Sequence, residues 1–228
     1  MKRNQSGFTL IEIAIVLVII GLLLGGVLKG QELINSAKVK NLATDFKNIP
    51  VFVYGYQDKF KALPGDDALA TTHLPAPAAT CTPPATPGKC VLGNGVIEGQ
   101  WNDATTASES YMFWQHVRLA GLAPGPTDPA VPATYIPKNA VGGIIGIQSG
   151  STTAPPVKDS SGNPIRGSYV ICSDGILGKF VKQLDTTMDD AVTWTGSMIA
   201  VPQGSVYGTQ ATTTAIDDAA SYTVCMGI

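Results

Sequence analysis

Residues 8–28 read FTLIEIAIVLVIIGLLLGGVL, apolar or glycine throughout except for Thr9 and Glu12. As a helix these 21 residues rise about 31 Å, enough to cross the hydrocarbon core of a bilayer. Lys2 and Arg3 precede the run, and no acid occurs among the first seven residues. The positive-inside rule then leaves the N-terminus in the cytoplasm and the remainder of the chain outside it. A cleaved secretory signal has an apolar region of roughly 7–15 residues ending at a small-residue site. This run is longer, and no A-x-A pattern follows it. A plain single-pass anchor accounts for the length and the basic flank but not for Glu12. An acid at the bilayer centre costs roughly 2.5–3.5 kcal/mol on insertion scales, and less near the edge where Glu12 lies. A carboxylate so placed needs a partner, which makes Glu12 the first candidate functional residue.

The hexapeptide Gly7-Phe8-Thr9-Leu10-Ile11-Glu12 sits behind a short basic leader and opens a long apolar helix. In this it resembles the processing site of type IV pilins and of the pseudopilins of type II secretion. The resemblance is strong over the leader and the apolar run and continues, more weakly, to about Gly65. It implies that a prepilin peptidase cuts between Gly7 and Phe8 and methylates the new terminal amine of Phe8. That amine has a reference pKa of about 7.7–8 and stays basic when monomethylated. In the family the glutamate at the position of Glu12 neutralises the terminal amine of a neighbouring subunit. Removing one member of such a pair leaves the other uncompensated in apolar surroundings. A contact between Glu12 and the amine of its own Phe8 has nearly the same reach and stays open as an alternative.

The resemblance also supplies expectations about setting. The partners are other copies of the chain, related pilins, the prepilin peptidase and the inner-membrane assembly machinery. Before assembly the chain sits in the inner membrane with its head in the periplasm, and afterwards in an extracellular or periplasmic filament. Its role is that of a structural subunit; the alternative is a minor subunit whose head binds DNA, a surface or secreted cargo. Gly21 and Gly25 form a literal GxxxG, and Gly26 with Gly30 repeats the spacing. Such spacing lets helices approach closely in lipid. The same glycines weaken a helix outside lipid, so this stretch is expected to extend or melt in a polymer.

Beyond Lys29 the pattern turns amphipathic, with Leu33, Ile34, Ala37, Leu42, Ala43, Phe46 and Ile49 at helical spacing. Pro50 predicts a kink or restart, and Leu63-Pro64-Gly65 predicts the stop. The fold class expected is α+β. It has a leader at 1–7, a membrane or filament-core helix at 8–28, an amphipathic continuation of this spine at 29–63, and a head at 64–228. Within the head, Thr106-Ala-Ser-Glu109 has capping-box spacing ahead of an aromatic helix through Tyr111–Ala120, with Gly121 as its end. That helix reads as core, packed on the spine, more readily than as a partner-binding surface. Ile176–Met188 has helical spacing, while Gly167–Cys172 and the segments after Val192 read as short antiparallel strands.

The chain has four cysteines, Cys81, Cys90, Cys172 and Cys225, an even number suited to an exported, disulfide-bonded head. Of the three pairings, Cys81–Cys90 with Cys172–Cys225 is preferred. The first two lie close in sequence around a Pro-rich loop, and the last two lie in strand-like segments. Buried free thiols are the alternative, and the spacing does not suit zinc.

With 14% charged residues and a formal net charge of -2, the chain has no overall basic character for nucleic acid. His73 and His116 stand in no metal-ligand spacing, and no nucleophile elbow, P-loop or dinucleotide fingerprint occurs. No enzyme activity is therefore expected. Three acid pairs, Asp66-Asp67, Asp189-Asp190 and Asp217-Asp218, lie near turns. The ordinary reading of all three is solvated acids, and no cofactor is expected. The resemblance adds one alternative, because some pseudopilins hold a calcium ion late in the head. Asp185, Asp189 and Asp190 are the candidate ligands for it.

Overall fold

The computed structural model describes residues 10–82 and 89–228. Its helices are α1 (Leu10–Phe60), α2 (Ala70–His73), α3 (Glu109–Leu119), α4 (Pro132–Tyr135) and α5 (Gly178–Met188). Its strands are β1 (Ile145–Ser149), β2 (Val157–Lys158), β3 (Tyr169–Leu177), β4 (Met198–Pro202), β5 (Thr209–Gln210) and β6 (Ser221–Gly227). The class is α+β, with a long apolar N-terminal helix and a head built on a small antiparallel sheet. The chain divides into two compact units after Lys38.

The first unit contains, among its described residues, the apolar part of α1. Its large side chains from Leu10 to Leu28 are all exposed. By length and composition this helix can cross a membrane.

The second unit begins inside the same helix. Val39, Leu42, Ala43, Phe46, Ile49, Val53 and Tyr56 form one buried face at helical spacing. From Val39 onward α1 is thus part of the head core. Pro50 neither restarts nor ends α1, which runs unbroken to Phe60. A proline inside a helix removes one hydrogen bond and costs about 3 kcal/mol. Burying each large side chain of the inner face returns roughly 1.5–3 kcal/mol. With Ile49 and Val53 flanking Pro50 and both buried, packing outweighs the local penalty. The helix stops at Phe60, before the Leu63-Pro64-Gly65 signal, with Lys61 in the left-handed region at φ 55°. Gly65, at φ 95°, makes the turn beyond it; a Cβ there would lie 2.5 Å from the Glu109 carbonyl oxygen.

Helix α3 is buried from Glu109 through Arg118, as its aromatic content predicts. It ends in a Schellman arrangement: Leu122 N–H donates to Val117 O and Gly121 N–H to Arg118 O. Its start differs from expectation. Ser108 is the N-cap and makes no side-chain capping bond, so Thr106 and Glu109 do not form a capping box.

The main sheet has strand order β1-β3-β6-β4, antiparallel throughout. Alternation along the strands divides its side chains between two cores. Ile145, Ile147, Ile171, Val224, Met226, Met198 and Ala200 join the cluster of α1 and α3. Val170, Cys172, Ile199, Val201 and Cys225 face the other way, onto Val157, Ile165 and Ala211. Strands β2 and β5 pair in parallel as a small second sheet. Cys172 and Cys225 are register partners on β3 and β6 and are joined as a disulfide; a second bond joins Cys81 to Cys90.

Candidate functional site

Two regions carry the residues singled out from the sequence: the start of α1 and the end of α5. Gly7 and Phe8 lie outside the described residues. Glu12 falls in the first turn of α1, among the exposed Leu10, Ile11, Ile13 and Ile15. Further along, a Cβ at Gly21, Gly25, Gly26 or Gly30 would meet nothing within 4 Å. Packing within a single chain therefore gives no reason for glycine at these four positions, and alanine there would strengthen the helix.

At the other region, Asp185 lies in the last turn of α5, Asp189 is its C-cap, and Asp190 follows. One carboxylate oxygen from each lies within 4.8 Å of the others. Asp185 is 1% exposed, and neither of its carboxylate oxygens has a hydrogen-bond partner. Burial, then the charges of Asp190 and Asp189, push its carboxyl up to about 6. The Ala191 and Val192 N–H groups pull the other way without reaching hydrogen-bond geometry. The two neighbours are held in place. Asp189 accepts from Ser197 Oγ at 2.9 Å and from Met198 N–H at 2.8 Å. Asp190 accepts from Val192 N–H at 2.8 Å and from Thr195 Oγ at 3.2 Å. Gly196 lies against the cluster at φ 80°, where a Cβ would run into Asp189 Oδ2. An oxygen-only donor set around an orphaned buried carboxylate fits a hard cation such as calcium.

A further carboxylate, expected only as a capping-box member, is built into the head core. Glu109, the first residue of α3, is fully buried. It accepts the Val91 N–H at 2.7 Å and the Glu98 N–H at 3.0 Å. Burial pushes its carboxyl up to about 7; those two N–H groups oppose the rise, and the nearby Asp66 and Glu98 carboxylates add to it. Its sequence signal was its place two positions before the aromatic run that opens at Tyr111.

The pH consequence follows from the sign of the shift. The folded state holds the Glu109 proton at pH values where the unfolded chain, near 4.5, has lost it. This contribution is fully present below about pH 4.5 and is lost as pH rises through about 7. Asp185 acts in the same direction, up to about 6. His116 acts oppositely. Burial lowers its pKa from 6.5, so its contribution holds above that value and is lost on acidification. Glu109→Gln should remove a pH-dependent stability of about 2 kcal/mol between pH 5 and 8. Urea unfolding at several pH values checks this; an unchanged slope would reject the assignment.

His116 is a satisfied core histidine. Gly65 N–H donates to its Nδ1 at 2.9 Å, and its Nε2 lies 2.8 Å from the Ala79 oxygen. His73 pairs with Asp67.

Residues 2–28 match the family model described as the prokaryotic N-terminal methylation motif. Nothing among curated proteins or solved structures matches the chain.

Proposed function

As a prepilin of type IV pilin-like or pseudopilin-like character, marked by the methylation motif at residues 2–28, this chain acts, we propose, as a structural subunit of a pilus or secretion pseudopilus. The observation that carries this reading is the motif itself, set on a helix whose apolar face is exposed from Leu10 to Leu28. Such a surface is stable in lipid or in a helical bundle and not in water. The subunit is held in the inner membrane with its head in the periplasm. It is cut between Gly7 and Phe8, methylated on Phe8, and passed by the inner-membrane machinery into a filament of like subunits. There Glu12 neutralises the terminal amine of a neighbour, and the open surface at Gly21, Gly25, Gly26 and Gly30 receives adjacent helices. The role is structural and not enzymatic. Mass analysis of the N-terminus from sheared filaments tests it: methylated Phe8 is expected, and a chain still carrying residues 1–7 would overturn the reading.

The acidic cluster at the end of α5 belongs to the same proposal. Asp185, Asp189 and Asp190 would hold calcium, which supplies positive charge to a carboxylate that burial otherwise disfavours. A ligand at a hundred times its Kd stabilises by about 2.7 kcal/mol. Thermal unfolding in calcium against a chelator should show a rise of several degrees, absent in Asp185→Asn. In the chelator, Asp185→Asn should be as stable as the native chain or more so near pH 7.5, because the buried charge is gone. Equal melting with and without calcium would remove the ion from the account.

A further inference from the structure

The head carries a cleft of about 720 Å³ whose walls include Gln57, Phe60, Lys61, His73 and Tyr169. Its best-built feature is His73. Asp67, 2% exposed, accepts from Tyr56 OH at 2.8 Å and from Leu69 N–H at 2.8 Å, and lies 2.7 Å from His73 Nδ1. Burial alone would raise the Asp67 carboxyl, but the bonds from His73, Tyr56 and Leu69 outweigh it and hold the group below its ordinary range. An ionised carboxylate only accepts, so the proton between the two groups sits on Nδ1. In the neutral imidazole this leaves Nε2 as an acceptor. The ring lies flat against Phe60, with centroids 5.3 Å apart and planes 16° apart, so its orientation is fixed in a second direction. The imidazole is partly exposed where it borders the cleft, and no described residue bonds to Nε2. Burying a carboxylate to lock the tautomer and plane of a half-open histidine is the arrangement of a recognition group.

We propose that this cleft is a saccharide-binding site, in which His73 Nε2 accepts a hydrogen bond from a sugar hydroxyl and Tyr169 lends an aromatic face to the ring. The surrounding chemistry suits that ligand class. The Gln57 amide, bonded to Tyr169, keeps further donor and acceptor capacity, and Lys61, which donates to Asp58 O and Oδ1, keeps a third N–H at the rim. Aromatic rings with a few convergent polar groups suit a ligand that is apolar on its faces and hydroxylated at its edges. A peptide strand has no edge to join, because the one strand contributing to the walls, β3, is paired on both sides. A nucleic acid would meet two carboxylates, Asp66 and Asp67, for the one lysine among the walls.

The test uses the full chain in detergent micelles, titrated with glucose, galactose, N-acetylglucosamine and glucuronate while the His73 ring resonances are followed by NMR. At least one sugar is expected to give a saturable shift in the millimolar range. His73→Phe keeps the flat ring on Phe60 but lacks the acceptor and takes one bond from buried Asp67, so it should melt lower than the native chain. Below its melting point, with the Tyr169 ring resonances as the probe, it should bind about five- to tenfold more weakly, the value of one hydrogen bond. Tyr169→Ala should weaken binding as well, with Tyr169→Phe restoring it. The proposal falls if no sugar saturates, if His73→Phe binds as tightly as the native chain, or if only short peptides shift these resonances. Unassembled chain is measured, so failure of filament processing at Gly7 would leave this result standing, and the reverse holds equally.

Discussion

Glu12→Ala is expected to enter the membrane and lose its leader normally, yet to yield few filaments. The substitution removes an acid from an apolar segment, which by itself makes insertion more favourable by up to about 2.5–3.5 kcal/mol. A defect in assembly therefore cannot arise from poorer insertion. On the proposed pairing, what is lost is the compensation of a neighbour's positive terminal amine. An uncompensated charge among apolar helices costs about 3–5 kcal/mol for each broken pair, and that cost recurs at every subunit added. Even one such term lowers an association constant by more than a hundredfold. Sheared-filament yield should fall at least tenfold while the processed form in the membrane fraction stays at native level. Glu12→Asp, with a shorter reach, should fall between the two. Native filament yield from the alanine variant would remove Glu12 from assembly, and loss of processing would move its role to the peptidase step.

The Cys172–Cys225 bond should contribute more to the head than any other single covalent feature. Its partners are 53 residues apart in sequence, against 9 for Cys81–Cys90. On the chain-entropy estimate, closing the longer loop stabilises by about 4 kcal/mol and the shorter by about 3 kcal/mol. Cys172 and Cys225 are also fully buried, so replacing both by alanine leaves a cavity in the core on the β2–β5 side of the sheet. The double variant should lose about 4 kcal/mol or more in urea unfolding, enough to unfold a marginal domain. The corresponding change at Cys81 and Cys90 should lose less and leave the main sheet intact. Equal losses would show that the loop around Cys81–Cys90 is as central to the head as the sheet.

The pairing itself was legible because sequence proximity and strand-like flanks favour it. The register that places Cys172 directly opposite Cys225 was not. It depends on the irregularity between Ser173 and Ile176, where Gly175 takes φ 70°, and on which edge of β6 meets β3. The aromatic helix was legible from its composition and its terminal glycine. Its start was misread, because capping-box spacing is a local signal and Glu109 was recruited by N–H groups on a separate segment. The restart expected at Pro50 does not occur for a related reason: a helix breaker acts locally, whereas the face it interrupts is anchored by long-range burial. Of the acid pairs, Asp189–Asp190 converges with Asp185, while Asp67 holds His73. Nothing in their spacing distinguished these outcomes from solvated acids.

What the amino-acid order alone determines here is whatever depends on run length, charge order and local spacing: a membrane-length helix, a basic leader, a processing motif and an acid one turn inside it. Those features act through a uniform solvent, the bilayer, which reads the chain in one dimension. The buried state of Glu109, the orphaned oxygens of Asp185 and the locked imidazole of His73 arise only where distant segments exclude water together. Desolvation depends on every neighbour in three dimensions, so the tertiary structure alone decided them.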